Sequence, residues 1–306
     1  MLNYVLRRLA QAGLILLGVS FITFALLYVL PADPAVQIAG RSATPETVAS
    51  IRAQLGLDQP LLAQYWNYLS NLAQGDFGRS YLQKTEVSTL IQSRIGPSLS
   101  LMFFAILIEL IIGLSAGIYS AMRRGKLSDN VVMVSSFIAI SAPQFIISIF
   151  VLYIFAVKLG WFPIGGYGRP IHYVLPALTL GILGSGWYSR VMRSSMIDVL
   201  RQDYIRTARA KGAPISRIIR VHAFKNAVLP IIAMIGLDIG IFMGGIVVVE
   251  SVFGWPGIGQ LAWQAIQRVD IPIIMAVTLV SAIAIVIGNL IADLIAPFVD
   301  PRIRLK

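Results

Sequence analysis

The uncharged stretch from Val131 to Val157 decides the class of fold. It reads VVMVSSFIAISAPQFIISIFVLYIFAV and contains no lysine, arginine, aspartate or glutamate. A helix needs about 20 apolar residues to cross the hydrocarbon core of a bilayer. This stretch is long enough, and we predict that it forms a transmembrane helix.

Five further segments on either side of this stretch show a similar pattern. Four are apolar and nearly free of charge over a spanning length. The fifth, residues 173–189, is shorter and contains Pro176, and we expect it to continue past Arg190, whose long side chain can reach the membrane interface. We therefore predict an all-α polytopic membrane protein with six transmembrane helices. In chain order these are residues 9–30, 99–122, 131–157, 173–189, 227–249 and 271–292.

The composition of the chain supports this class and excludes others. Only 13% of the 306 residues are charged and 57% are hydrophobic, whereas about a quarter of the residues in a soluble domain are charged. A water-soluble or disordered chain is therefore excluded. The absence of cysteine excludes disulfides and thiolate metal sites, and with only two histidines we predict no metal site.

The distribution of basic residues predicts the orientation. If the N-terminus is cytoplasmic, roughly two thirds of the 25 lysine and arginine residues fall on the cytoplasmic side, as the positive-inside rule requires. We therefore expect both termini in the cytoplasm. The net charge of +11 then needs no nucleic-acid partner, because cytoplasmic loops and the lipid surface account for it.

Two long polar segments divide the chain. Residues 31–97 are charge-balanced and are predicted to form an extracytoplasmic insert between residues 1–30, which hold the N-terminus and first helix, and a core domain of residues 98–306. A strongly basic segment at about 196–226 is predicted to lie in the cytoplasm.

The basic cytoplasmic segment has helical periodicity. Ile197, Leu200, Tyr204 and Ala208 recur at three- and four-residue spacing and would form one apolar face of a helix, which Gly212 would end with a left-handed cap. The spacing alone is compatible with two interpretations, in which the helix either lies on anionic lipid or is presented to a cytoplasmic partner.

This segment resembles the cytoplasmic loop of ABC importer permeases, in which Glu-Ala-Ala is followed after three residues by Gly. Ala208 and Gly212 match that general pattern, while its first two positions are replaced. The family branch that imports dipeptides, oligopeptides, glutathione and nickel has a version similar to DYIRTARAKG at residues 203–212, followed within residues 222–230 by HA and NAVLP.

Other motifs similar to those of this branch are spread along most of the chain. Each is weak alone, but together they occur in the order and at the spacing of the family. They are PADP at residues 31–34, LGLDQP at 55–60, GDFG at 75–78, LGWFP at 159–163 and VESVFGWPGIG at 249–259.

The resemblance implies an ABC importer permease fold in a bacterial or archaeal cytoplasmic membrane. It implies half of a pathway for a small peptide such as a di- or oligopeptide or glutathione, with nickel or another small solute as the alternative. The implied partners are a homologous second permease, two ATP-binding subunits and an extracytoplasmic solute-binding protein that selects the substrate. ATP and Mg would lie on the ATPases, since this chain has no cofactor and no Gly-x-x-x-x-Gly-Lys-[Ser/Thr] phosphate loop. The implied ATPase-docking residues are Asp203, Tyr204, Arg206, Thr207, Ala208, Lys211 and Gly212.

A second set of candidates lies in or beside the spans. Glu109 and Asp238 are ionisable residues at membrane depth, which usually face a cavity or the bundle interior. They either line the translocation path or form hydrogen bonds that pack the helices together. Trp255 and Pro256 belong to a segment, residues 254–259, that cannot continue a helix and forms part of an outer gate or a surface turn. Glu250, shortly before it, is a further candidate for the path or gate.

Two other classes of function are weighed against the permease. An ion-coupled secondary transporter would show an inverted repeat or several intramembrane charges, and no repeat is visible. An intramembrane enzyme would need general-base or metal chemistry, and the sequence has no His-Glu-x-x-His motif.

Overall fold

The computed structural model describes residues 2–29, 34–40 and 43–299, and within these ranges its regular elements are helices. Arg79 and Glu86 form an isolated β-bridge. The first three residues of the PADP motif lie outside the described residues, while Pro34 begins a helix.

The insert and its neighbours form one group of helices. The first helix, α1, is Leu2–Val29. The insert contributes three short helices, which are α2 (Pro34–Ala39), α3 (Pro45–Gln54) and α4 (Leu61–Ala73).

The core begins with α5 (Val87–Met122), α6 (Leu127–Ser141) and α7 (Gln144–Leu152), which continues as a π-helical turn at Tyr153–Lys158. Then come α8 (Ile171–Leu200), α9 (Asp203–Ala210) and α10 (Ile215–Arg217), the latter extended by a π-helical turn at Ile218–Ala223. The last helices are α11 (Phe224–Ala227), α12 (Leu229–Gly245), α13 (Val247–Val252), α14 (Ile258–Arg268) and α15 (Ile271–Val299).

Three of the described helices, α1, α5 and α15, are long and apolar enough to cross a membrane by themselves. Two bent pairs bring the number to five if each counts as one span. Helix α8 is 30 residues long but does not meet the same test of hydropathy and charge. The multi-pass membrane class is therefore confirmed, while the sixth span remains a prediction.

The stretch from Val131 to Val157 is not one straight helix, contrary to expectation. Helices α6 and α7 meet at an angle of 101°. Ala142, between them, has an extended backbone with φ −71° and ψ 128°. The cause is Pro143, because a proline ring disfavours the helical conformation in the residue before it. Uncharged sequence alone does not reveal such a bend.

Two other helix boundaries differ from those predicted. Helix α5 begins at Val87, twelve residues before the apolar run, and keeps Pro97 inside it, because hydropathy detects only the apolar part of a helix that extends beyond the membrane. The predicted amphipathic face from Ile197 to Ala208 is divided, since α8 ends at Leu200 and Gln202 has an extended backbone with ψ 150°.

Glycine residues set the close packing of the long helices. A Cβ on Gly113 of α5 would overlap Tyr188 of α8, and one on Gly117 would lie 2.6 Å from the Ser189 carbonyl oxygen. Between α12 and α15, a Cβ on Gly288 would lie 2.6 Å from the Gly236 carbonyl oxygen. These residues allow backbones to approach closely, as small residues do in membrane bundles.

Hydrogen bonds attach the insert to the bundle, among them those of Tyr65 and Ser80. Tyr65 of α4 packs its ring against Phe24 of α1, and its hydroxyl lies 2.9 Å from the Ser20 hydroxyl. Asp270, between α14 and α15, is buried and accepts a 2.5 Å hydrogen bond from Ser80. The insert is thus held against both the first helix and the end of the core.

Candidate functional site

Helix α9 carries most of the predicted docking residues, and a single buried side chain seats it. Ile205 is fully buried and packs in a cluster with Met192 and Met196 of α8 and with Ile218. The other residues of α9 are exposed or half-buried. The helix is therefore fixed along one edge to the turn Ile218–Ala223 and to the hydrophobic cluster that includes the end of α8, and it is open on its remaining surface.

The end of α9 has the geometry predicted for Gly212. Its φ is +75°, in the left-handed region, and the N–H of Ala213 donates to the Ala208 carbonyl at 3.2 Å. This six-to-one bond is characteristic of a Schellman cap. No atom of the described chain lies within 4 Å of the position that a Cβ on Gly212 would take. The requirement for glycine within this chain is therefore conformational rather than steric.

The structure brings all the predicted docking residues onto this one short helix and its cap. Asp203 and Arg206 form an exposed ion pair of 3.7 Å, which contributes little to stability. The Thr207 hydroxyl donates to the Asp203 carbonyl at 3.0 Å, while the Tyr204 hydroxyl accepts from Asn226 at 2.9 Å. Lys211 and Gly212 are exposed and Ala208 is half-buried. The arrangement suits a surface that a second molecule covers.

A second cluster joins three long helices inside the bundle. The Tyr188 hydroxyl of α8 donates to Asp238 Oδ2 of α12, and Asp238 interacts electrostatically with Glu109 of α5. Glu109 is buried, and its Oε2 has no hydrogen-bond partner within the described residues. A Cβ on Gly184 would overlap the Glu109 carboxyl group. The two predicted acids therefore meet, and Tyr188 is a member that sequence reasoning missed because no spacing signal marks it.

In the N-terminal third of α5, Ser98 contacts Glu250, which holds the start of α14. Its Oε1 accepts from the Ser98 hydroxyl at 3.1 Å, and its Oε2 accepts from the Gln260 N–H at 2.7 Å. The first amide groups of a helix lack partners within the helix, so this carboxyl group acts as a buried cap. Burial outweighs these hydrogen bonds and raises the pKa of Glu250 to about 7.

The segment around Trp255 is buried rather than a surface turn. The Trp255 ring is inaccessible to solvent and packs edge-to-face on Tyr167 and Tyr173, with centroids 4.9 and 4.6 Å away. Its indole N–H donates to the Pro97 carbonyl at 3.1 Å. Pro256 beside it is half-buried. In this chain the predicted gate residues are part of a packed region of the core.

A partly buried ion pair between α6 and α8 was not anticipated. Arg193 of α8 donates to both carboxylate oxygens of Asp129 at 2.6 and 2.7 Å. Asp129 also accepts from the Ser120 hydroxyl and from the Gly125 N–H. Helix α8 is thus joined to α5 and α6 just before it leads into α9. Nothing in the sequence pairs these residues, which lie far apart in the chain.

Two family models together match nearly the whole chain. "Binding-protein-dependent transport system inner membrane component" matches residues 113–305, and its N-terminal companion model matches residues 1–102.

Full-length relatives and a solved structure are also similar. The glutathione transport system permease protein GsiC of Escherichia coli (strain K12) is 40% identical over 306 residues, covering 100% of both chains, as is GsiC of Shigella flexneri serotype 5b (strain 8401). An inward-facing structure of the MetNI methionine ABC transporter superposes with a TM-score of 0.59 at 18% identity, covering 69% of this chain and 96% of that chain. At that identity the structural likeness concerns the fold alone.

Proposed function

The chain belongs to the family of binding-protein-dependent transport system inner membrane components, and on that premise we propose that it forms half of the pathway of an ATP-driven importer of glutathione or another small peptide. The observation that carries this proposal is the 40% identity to glutathione permeases over the full length of both chains. A nickel or other small-solute cargo is the alternative that the uptake assay below distinguishes.

The remaining subunits of the importer follow from this role. A homologous permease forms the other half of the pathway, two cytoplasmic subunits bind ATP and Mg, and an extracytoplasmic binding protein delivers the substrate. Helix α9 docks on one ATPase through its exposed residues, and the capped end at Gly212 stays small at the contact. Lipid binding by the basic residues of this loop is the competing reading.

The topology of the proposal has six spans and both termini in the cytoplasm. The ion pair of 2.7 Å between Arg8 of α1 and Asp293 of α15 supports it, since it joins the early part of the first helix to the late part of the last one. Helix α8 supplies the fourth span and leads directly into α9. Residues 31–97 form the extracytoplasmic insert in this scheme.

Coupling in this proposal passes along α8. A displacement of α9 by the ATPases acts on Met192 and Met196 through Ile205. The Asp129–Arg193 pair and the Tyr188–Asp238 contact transmit it to α6 and α12. Such rigid-body movements are the ordinary means of alternating access. In the same scheme Glu109 and Asp238 border the path, and Glu250, Trp255 and Pro256 support an outer gate.

The test is uptake by the reconstituted complex. The chain is assembled in proteoliposomes with the sister permease, ATPases and binding protein encoded beside it, and uptake of radiolabelled glutathione, dialanine and Ni²⁺ is compared. We expect ATP- and binding-protein-dependent uptake of glutathione or dialanine, and no ATP hydrolysis by the purified chain alone. Uptake of Ni²⁺ only, or uptake that needs no ATPase, would contradict the proposal.

A further inference from the structure

Arg190 on α8 lies in an open niche with aromatic walls. Its guanidinium carbon is 4.4 Å from the ring centroid of Phe137 on α6 and 5.8 Å from that of Trp187. The two aromatic residues are 51% and 54% exposed, whereas Arg190 is half-buried. The guanidinium is therefore held by the two rings and remains accessible from outside the chain.

The niche lies along α6 well away from the start of that helix, on a face that the described residues leave open. The hydroxyls of Ser189 and Ser136 are 2.6 Å apart, which places this part of α8 level with Phe137. Phe137 is ten residues into α6, or about 15 Å from its start at Leu127. Side chains in a helix tilt toward its N-terminus, which for α8 is the outer end in the proposed topology.

Arg190 lacks the partner that its neighbour has. Arg193, one turn later, holds both oxygens of Asp129, whereas no carboxylate among residues 2–29, 34–40 and 43–299 pairs with Arg190. A charged side chain facing lipid at this depth is costly, and such residues usually face a water-filled cavity or the bundle interior. An accessible, unpaired guanidinium here is compatible with an aqueous path and poorly compatible with lipid.

We propose that Arg190, with Phe137 and Trp187, binds a carboxylate group of the transported substrate. The inference rests on the proposed function, because glutathione and peptides carry carboxylates and a metal cation does not. The guanidinium fork suits two parallel hydrogen bonds to a carboxylate. The rings hold the guanidinium by cation–π contact and offer apolar surface to the rest of the substrate. The niche thereby marks one section of the translocation path on this chain.

The test measures substrate binding to the nucleotide-free complex of permeases and ATPases in nanodiscs, without binding protein. The ligand is radiolabelled glutathione, or dialanine if uptake selects the dipeptide, and the competitor is the same compound with its carboxylates amidated. We expect saturable binding of the radiolabelled ligand. The unlabelled ligand with free carboxylates should displace it, and the amidated competitor should not. Arg190→Gln is expected to weaken substrate binding at least about tenfold, because a charge-assisted hydrogen bond is lost. Arg190→Lys is expected to weaken it less.

Arg123 supplies the matched control, because its guanidinium also lies over a ring, Tyr119, at 5.9 Å, but at the exposed end of α5. Arg123→Gln is expected to bind substrate as the wild type does, and all variants to assemble and to show the same basal ATPase activity. In uptake, Arg190→Gln is expected to raise the KM and leave assembly unchanged, which a merely structural role would not produce.

Three results would overturn the inference. They are wild-type affinity in Arg190→Gln, equal displacement by acid and amide, and no saturable binding to the wild-type complex. Dependence of the Arg190→Gln phenotype on anionic lipid content, with substrate binding unchanged, would instead assign the guanidinium to a lipid phosphate. Failure of the proposed function is distinct from these results, since the wild-type complex would then import neither glutathione nor dialanine.

Discussion

Replacing Ile205 with alanine should release α9 from the bundle without altering its exposed surface. Ile205 is fully buried and is the side chain that seats this helix among Met192, Met196 and Ile218. Truncating a buried isoleucine to alanine usually costs about 2–5 kcal/mol, since apolar contact is lost and a cavity remains. Because most of the surface of α9 faces solvent and the site can partly collapse, we expect about 2–4 kcal/mol here.

That energy corresponds to a large change in amide hydrogen exchange. A loss of about 2–4 kcal/mol in local opening free energy speeds exchange about 30- to 1,000-fold. The assay is hydrogen exchange of the permease complex in nanodiscs, followed by mass spectrometry of peptides covering α9 and, as a reference, α14. Ile205→Val should give a smaller effect, since such a change costs about 0.5–1.5 kcal/mol.

Ile215 provides the control, since it has the same side chain in the same loop but is 52% exposed. Ile215→Ala should change the exchange of α9 by less than about threefold, equivalent to roughly 0.5 kcal/mol. Substrate-stimulated ATPase activity should fall in Ile205→Ala and persist in Ile215→Ala, because only the former loosens α9 from α8. Equal exchange in the two variants would refute the view that one buried side chain seats α9.

Three further predictions follow from single contacts. Gly212→Val should reduce co-purification of the ATPases, because a β-branched residue pays about 1–2 kcal/mol to adopt the φ of +75° found at this position. Gly212→Asn should retain more co-purification, since asparagine tolerates this conformation better. Equal loss in both variants would point to side-chain bulk rather than backbone conformation. Burial raises the pKa of Glu250 to about 7 in the folded protein, so the thermal stability of the wild type should fall as the pH rises from about 4.5 to about 7. Glu250→Gln should remove this dependence. A pH response shared by both proteins would contradict the prediction. Asp129→Asn should destabilise the complex by about 1–3 kcal/mol, as a thermal-shift assay would show, because it leaves the partly buried Arg193 without its counter-charge. Asn at the exposed Asp203 should cost less than about 1 kcal/mol, and similar losses in both variants would argue against this assignment.

The features predicted correctly from the sequence depend on local chemistry. Apolar runs of spanning length identified the membrane class, and α1, α5 and α15 meet the same test in the structure. Gly212 was predicted to end its helix in the left-handed region, and its φ confirms this. Both inferences need only neighbouring residues, because hydration of a segment and the steric freedom of a glycine do not depend on the rest of the fold.

The bend between α6 and α7 shows where local reasoning ended. Pro143 was visible in the sequence, but an uncharged run with one proline is compatible with a kinked span as well as with a turn of 101°. Packing against α8, which contacts both helices, decides between them.

Only the tertiary structure decided the roles of the buried polar groups. Tyr188 joins Asp238 from 50 residues away, and Ser98 joins Glu250 from 152 residues away. The contact of the Arg190 guanidinium with Phe137 likewise depends on how α6 and α8 pack. Hydropathy and spacing identify a polar side chain at membrane depth, but its partner is set by which helices meet, and that is a property of the whole bundle.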